Sequence, residues 1–300
     1  MNTPTYDVYA YGTIAYSTLH ILKQSFPKAE GYGEIVESHP MTGGEALNSA
    51  LVLSRLGLRV KLDGTWLGQT DGGKFVFETL KAFGVDGSRL TYHREYPGIK
   101  EIVFADTDSR TVFGTYQDLF TSRKWNVPQQ EDIAAARMVC LDPTFGDESQ
   151  QVAQYADELD IPYVTVDCAY DHPLTPQAAA LIISGEFRSH KYPKVSIGHL
   201  FQAYHAHANG LVIFTAGDQK MLCARAGETV KSITPFAIEP VDTAGAGDSF
   251  RAGLIYGMLQ GWSDERAVRY ASALAAMICT RFPGVLDCPK HEEVMAFMDK

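Results

Sequence analysis

The run Asp242-Thr243-Ala244-Gly245-Ala246-Gly247-Asp248-Ser249-Phe250 follows a β-prone segment. It opens a helix carrying Phe250, Leu254 and Met258 at i, i+4 and i+8. A strand-to-helix turn stripped of side chains is the feature from which the rest of the fold is read. At a helix start the first N–H groups lack intrahelical partners and the dipole end is positive, so Gly245, Ala246 and Gly247 can hold an anion closely. Asp248 then stands beside that anion. Aspartate is also a favoured N-terminal cap, but a cap needs no such bare approach on its N-terminal side. Phosphoryl transfer needs both the opening and a proton acceptor. A dinucleotide-binding fingerprint fits less well. The third glycine is missing, the run is far from the N-terminal strand, and an acid stands where a pyrophosphate would be repelled.

Outward from this turn, the C-terminal third is nearly all helix, over 249–259, 264–279 and 289–298. Upstream, Val8-Tyr9-Ala10-Tyr11 is a β-prone run ending at Gly12, and helical spacing over 45–56 stops at Gly57 before a strand at 60–62. A second helix is predicted over 74–83, with Gly84 past its end. Short buried-type strands are predicted at 138–141, 163–166, 181–183 and 211–214, separated by helix-length segments such as 148–159. This alternation predicts an α/β protein with a mainly parallel central sheet and helices on both faces. Two segments, 13–40 and 90–116, break it by reading as β without helices; in the second, Asp106-Thr107-Asp108-Ser109 is a turn between 99–105 and 111–116. Together they are expected to form a small sheet projecting as a lid. The main domain then comprises 1–12, 41–89 and 117–300. A lid of this kind can cover a pocket and shut out water.

The 300 residues are 45% hydrophobic and 21% charged, enough apolar material for a full core, which excludes disorder and collagen-like repetition. A net charge of −10 argues against general nucleic-acid binding, which needs a basic patch. No basic leader opens the chain and no apolar run approaches a membrane span, so a cytoplasmic protein without membrane contact is expected. Five scattered cysteines, with no C-x-x-C pair, support neither a disulfide scaffold nor a zinc ribbon.

The stretch from Asp242 to Gly253 resembles the C-terminal signature of the ribokinase-like, or PfkB-type, carbohydrate kinases, Asp-Thr-x-Gly-Ala-Gly-Asp-x-Phe-x-Ala-Gly. Gly43-Gly44-Glu45-Ala46-Leu47-Asn48 and Arg55-Leu56-Gly57 match the N-terminal one. Two motifs nearly 200 residues apart, in the right order, are far more specific than either alone, and the resemblance spans essentially the whole chain. It implies a ribokinase-like three-layer α/β/α sandwich with a small β-sheet lid. It also implies an ATP-dependent kinase, assisted by Mg²⁺, that phosphorylates a hydroxyl of a sugar-like molecule. Asp248 would accept the hydroxyl proton, while Gly245, Ala246 and Gly247 hold the transferring group.

Gly43, Gly44 and Asn48 carry over as sugar contacts, although a tight turn and a solvated helical Asn would look the same. On the nucleotide side the resemblance implies roles for Asp242 and Thr243, and for Thr215 and Gly217, whose usual later glycine is Lys220. The Asn-x-x-Glu motif of many members aligns with Ser184-Gly185-Glu186-Phe187, so both marker positions differ and the metal ligands stay unassigned, with Glu186 the substitute acid. Where many members bind sugar hydroxyls with an Asp, this chain has Ser17, which cannot supply a charged bidentate acceptor. Asp142 aligns with another acidic sugar contact, or simply starts a loop before Pro143. Arg110, in the lid hairpin, meets an anionic group on the acceptor or is a solvated turn charge. Whether a monovalent cation assists stays open, and a bare lid edge favours a homodimer.

Other motifs lead elsewhere. Gly68-Gln69-Thr70-Asp71-Gly72-Gly73-Lys74-Phe75 nearly spells a phosphate-binding P-loop, but Phe75 has no oxygen for Mg²⁺. His205-Ala206-His207 falls in a helical stretch over 200–208, where i and i+2 do not share a face. Zinc and serine-hydrolase motifs are lacking. The rival function is a kinase-shaped sensor that binds a sugar or nucleotide without turnover, motivated by Ser17 and the altered 184–187 segment.

Overall fold

The computed structural model describes residues 4–106 and 109–299. Strand β1 (Val8–Gly12) shows why the central sheet is covered on both sides. Val8 and Ala10 join one core, Tyr9 and Tyr11 the other, and all four are fully buried. In chain order there follow β2 (Ala15–Leu22), β3 (Ile35–Gly43), α1 (Glu45–Arg55), β4 (Val60–Gly64), β5 (Leu67–Gly68), α2 (Asp71–Phe83), β6 (Tyr92–His93), β7 (Ile99–Ala105), β8 (Arg110–Gly114), α3 (Gln117–Thr121), α4 (Gln130–Ala134) and β9 (Met138–Leu141). The second half runs α5 (Asp147–Glu158), β10 (Tyr163–Val166), β11 (Ala180–Ile183), α6 (Gly185–Lys191), α7 (Ile197–His207), β12 (Leu211–Phe214), β13 (Met221–Ala224), β14 (Lys231–Ile233), α8 (Ala246–Leu259), α9 (Asp264–Cys279) and α10 (His291–Met298).

The main sheet has the order β14-β13-β12-β11-β10-β9-β1-β4. From β4 to β12 every pairing is parallel, and β13 and β14 add an antiparallel edge. One face is covered by α1, α2, α8, α9 and α10, the other by α3, α4, α5 and α7. The result is a three-layer α/β/α sandwich, as expected. The chain leaves β1 toward β4 on one side, while β9 to β12 build out on the other. The carboxyl ends of β1 and β9 therefore flank a topological switch point, the place where open α/β sheets bind ligands.

A separate sheet of order β3-β2-β7-β8 projects as the lid. Strand β3 runs to Gly43, directly into the turn that starts α1, so the lid is covalently continuous with the cavity floor. The register sets Ser17 opposite both Met41 and Glu101, and Leu19 opposite Val103. Leu19, Met41 and Val103 form the lid's own small core, while Ile35, Val36 and Phe113 are exposed. Of the turn expected between β7 and β8, Thr107 and Asp108 lie outside the described residues.

The two decoy motifs take structural roles. Helix α2 begins at Asp71 with Thr70 as its cap. The histidines at 205 and 207 are in α7, each bonded to a backbone carbonyl. Among the described residues no group of His, Cys, Asp and Glu is arranged to hold a metal, and no helix is long and apolar enough to cross a membrane.

Candidate active site

Helix α8 is preceded at its N-cap by Gly245, which is in the left-handed region at φ 74 and offers no side-chain cap. A β-carbon there would sit 2.3 Å from Val285 Cγ2, so only glycine fits. The turn before it is pinned by Asp242, whose Oδ1 accepts from the Ala244 amide at 2.8 Å, and by Ala246 N–H donating to the Thr243 carbonyl at 3.3 Å. The amides of Gly247 and Asp248 have no acceptor among the described residues. A β-carbon on Gly247 would meet nothing within 4 Å, so no neighbouring side chain covers this first turn.

Asp248 sits on the first turn of α8 at the floor of a cavity of about 510 Å³. Its Oδ2 accepts from Asn48 Nδ2 at 2.8 Å, and its carbonyl accepts from Ser49 Oγ at 3.1 Å. Burial pushes its carboxyl up to about 6; nearby Asp142 and Glu101 add to this, while Arg251 and the Asn48 hydrogen bond oppose it. Such a group is largely ionised at neutral pH yet close enough to it to accept a proton usefully.

The cavity is walled by the lid and floored by the starts of α1 and α8. Ser17, Gly43, Gly44, Asn48, Arg110, Gly245 and Asp248, expected from the sequence, all line it. Ala246 and Gly247 lie just beyond, on the same helix start. Asn48 bridges the halves, accepting from Thr42 Oγ1 at 2.9 Å while donating to Asp248. Arg110 stands exposed at the rim.

Asp142 is placed differently from the expectation that it meets an acceptor hydroxyl. It is fully buried and does not line the cavity. Its Oδ1 pairs with Arg251 Nη1 at 2.6 Å, and its Oδ2 accepts from the Thr13 amide at 2.7 Å and Thr13 Oγ1 at 3.0 Å. The reason is Arg251, one turn along α8 and itself fully buried, which takes this carboxylate as counter-ion and also donates to Ser49 Oγ at 3.0 Å. Thr144 reaches the cavity instead.

The expected nucleotide-side residues gather at the carboxyl ends of the next strands, outside that cavity. Ser184 caps α6, its Oγ accepting from the Phe187 amide at 3.0 Å and donating to Asp167 Oδ2 at 2.9 Å. Glu186 is exposed beside it. Thr215 follows β12, with its carbonyl bonded to Arg188 Nη2, and Gly217 has φ 60 with open space around it. Asp242 keeps a buried Oδ2 without a partner among the described residues.

A family model described as pfkB family carbohydrate kinase matches residues 10–290. The chain belongs to this family. This pfkB-family carbohydrate kinase is 29% identical over 261 residues to the ribokinase of Bacillus subtilis, covering 84% of this chain and 86% of that one. It is 26% identical over 282 residues to a nucleoside kinase of Methanothermobacter thermautotrophicus, covering 91% and 89%. Among solved structures, a protein from Agrobacterium tumefaciens assigned as a ribokinase superposes with a TM-score of 0.87 at 25% identity, covering 98% and 97% of the two chains. Arabidopsis thaliana ribokinase, complexed with ribose and ATP, gives 0.82 at 19%, covering 98% and 99%.

Within this kinase, sequence reading missed four residues of the site. Glu45 and Glu101 line the cavity, Tyr116 donates to Glu101, and Arg251 sits beneath it. Burial raises the carboxyl of Glu45 well above its usual range and raises that of Glu101, which Tyr116 and Arg110 partly offset. Signals existed. An arginine between Phe250 and Leu254 on a buried helix demands a buried acid, and Glu101 interrupts the apolar alternation Ile99, Val103, Ala105.

Proposed function

We propose that the enzyme transfers the γ-phosphoryl group of ATP to a hydroxyl of a sugar-like acceptor bound between lid and floor, with Asp248 as the general base. The observation that carries this reading is a half-buried carboxylate, pushed up to about 6, on the same helix turn as two unbonded amides and facing a cavity. The Gly247 and Asp248 amides would bind the transferring phosphoryl oxygens, and Asp248 would take the proton from the acceptor hydroxyl. Since such transfer asks for alignment and charge stabilisation more than for a strong base, an ordinary carboxylate suffices.

The residues suit a nucleoside triphosphate: the bare start of α8, the open Gly217 turn and the ends of the neighbouring parallel strands carrying Thr215 and Ser184 all present small groups. Thr243 borders it at the entry to α8. Bound Mg²⁺ would neutralise phosphate charge; Glu186 and Asp167, close to each other beside Ser184, are the acids that would help hold it, and such an ion needs few protein carboxylates when phosphates supply the rest. The orphaned Oδ2 of Asp242 supports a monovalent cation nearby. Exposed Ile35, Val36 and Phe113 support a homodimer through the lid, which sedimentation would test.

Coupled ATP turnover across ribose, fructose, 5-dehydro-2-deoxygluconate and nucleosides tests the reading. Phosphorylation of one acceptor with kcat/KM well above the others is expected. Tight binding of an acceptor with no turnover would instead favour a sensor, a reading that the capped and occupied Ser184 motivates.

A further inference from the structure

The acid missing at position 17 has a counterpart one strand away. Ser17 and Glu101 are direct partners in the parallel pairing of β2 with β7, so their side chains share a face and a rung. Both line the cavity. One carboxylate oxygen of Glu101, Oε1, accepts from the Tyr116 hydroxyl. The other, Oε2, accepts no hydrogen bond among the described residues and lies against the Cα of Gly43, where a β-carbon would stand 2.0 Å from it. Gly43 therefore does more than turn the chain: its missing side chain makes room for this carboxylate over the cavity floor. Met41 on the same rung, and Leu19, Val103 and Val112 on the next rung of that face, offer no hydrogen bonds.

We propose that Glu101 is the specificity-determining residue of this kinase, its free Oε2 accepting hydroxyls of an uncharged polyhydroxylated acceptor in place of an acid at position 17. The assignment rests on the reading of the cavity as the acceptor site. Tyr116 fixes the carboxylate plane, leaving one oxygen for the ligand. A hydroxyl donating to Oε2 lies beside Gly43 and Asn48, with Asp248 across the floor. Glu101 on the wall disfavours an acceptor whose phosphate would lie beside it, by like-charge repulsion.

The test compares wild type with Glu101→Gln, which keeps an oxygen for Tyr116 and the space over Gly43, and with Glu101→Ala and Ser17→Asp/Glu101→Ala. Steady-state kinetics use the best acceptor of the panel and its monodeoxy analogues. Glu101→Gln is expected to raise the acceptor KM about 10- to 100-fold, as befits loss of a hydrogen bond to a charged group. The ATP KM should stay within about threefold, and discrimination against one deoxy analogue should shrink by a similar factor, which a merely structural role would not produce. The double variant is expected to recover part of the acceptor affinity lost in Glu101→Ala. Unchanged acceptor KM and unchanged deoxy discrimination in Glu101→Gln would overturn the assignment while leaving the kinase reading intact. Failure of the wild type to bind or phosphorylate any acceptor would overturn the acceptor-site reading and this assignment with it.

Discussion

Two glycine-rich turns lead into helices in this chain, one directly from the short strand β5 and one from the irregular stretch after β14, and they end in opposite ways. At 68–75 the glycines serve packing. A β-carbon on Gly73 would stand 2.0 Å from the Gly68 carbonyl oxygen, and one on Gly72 would stand 2.7 Å from the Tyr16 ring. Thr70 then caps α2 by accepting from the Gly73 amide at 3.1 Å. At 242–250 no side chain caps α8, the Gly247 and Asp248 amides are left over, and Gly247 faces open space. Glycine content alone does not separate the two. What separates them is whether the helix's first donors are already bonded, because only unbonded amides can bind an anion.

The largest effect expected from this contrast is kinetic. Asp248→Ala should lower kcat by about 10²- to 10⁴-fold, the usual contribution of a general base, whereas Asp71→Ala, at the matching end of α2, should leave turnover within about twofold. Comparable losses in both would erase the distinction. A second difference lies below the helices, where α8 alone is anchored by the buried Arg251–Asp142 pair. Arg251→Met leaves Asp142 as an unpaired buried charge and should cost about 3–5 kcal/mol in denaturant unfolding. A loss under about 1 kcal/mol would show that the pair contributes little.

The pH dependence sharpens the contrast further. With Asp248 at about 6, kcat/KM should fall as pH drops through that value, as the base becomes protonated. For stability the sign is opposite. A carboxyl raised on folding favours the protonated state, so its destabilising effect is absent below the unfolded value near 3.8 and grows as pH rises through 6. Asp248→Asn should therefore stabilise the protein at pH 8, by up to about 3 kcal/mol, and not at pH 4. Thermal melts at both pH values check this, and equal shifts would contradict it. The smallest effects concern the glycines. Gly73→Ala should lower stability by about 1–3 kcal/mol through overpacking, with ATP kinetics unchanged. Gly247→Ala should leave stability nearly untouched while raising the ATP KM or lowering kcat.

Most of the fold was legible because the sheet is buried on both faces. Strands such as Met138–Leu141 and Leu211–Phe214 are short unbroken apolar runs between helices of clear periodicity. In the antiparallel edge, Lys231–Ile233 gives no apolar run because Lys231 and Ser232 are exposed, whereas Met221–Ala224 is an apolar run of four too short to tell strand from helix. Helix α6 was missed because its seven residues are too few to show a period. For the site, Asp248 and its glycines could be read from one contiguous segment. Glu101 and Arg251 stand out in sequence only as charges in apolar settings, and what they meet could not be read, since each acquires its partner across the fold: Gly43 on another lid strand, and Asp142 at the end of β9. Asp142 itself reads the same in sequence whether it faces a ligand or a buried arginine.

The central claim, that Asp248 beside free amides moves a proton during phosphoryl transfer, is tested most directly by separating nucleotide binding from chemistry in Asp248→Asn. ATP affinity is measured by calorimetry and single-turnover transfer to the best acceptor by rapid quench. The variant should bind ATP within about threefold of wild type and transfer the phosphoryl group at least a hundredfold more slowly. Transfer at the wild-type rate, or a fall in rate matched by an equal fall in ATP affinity, would contradict the claim.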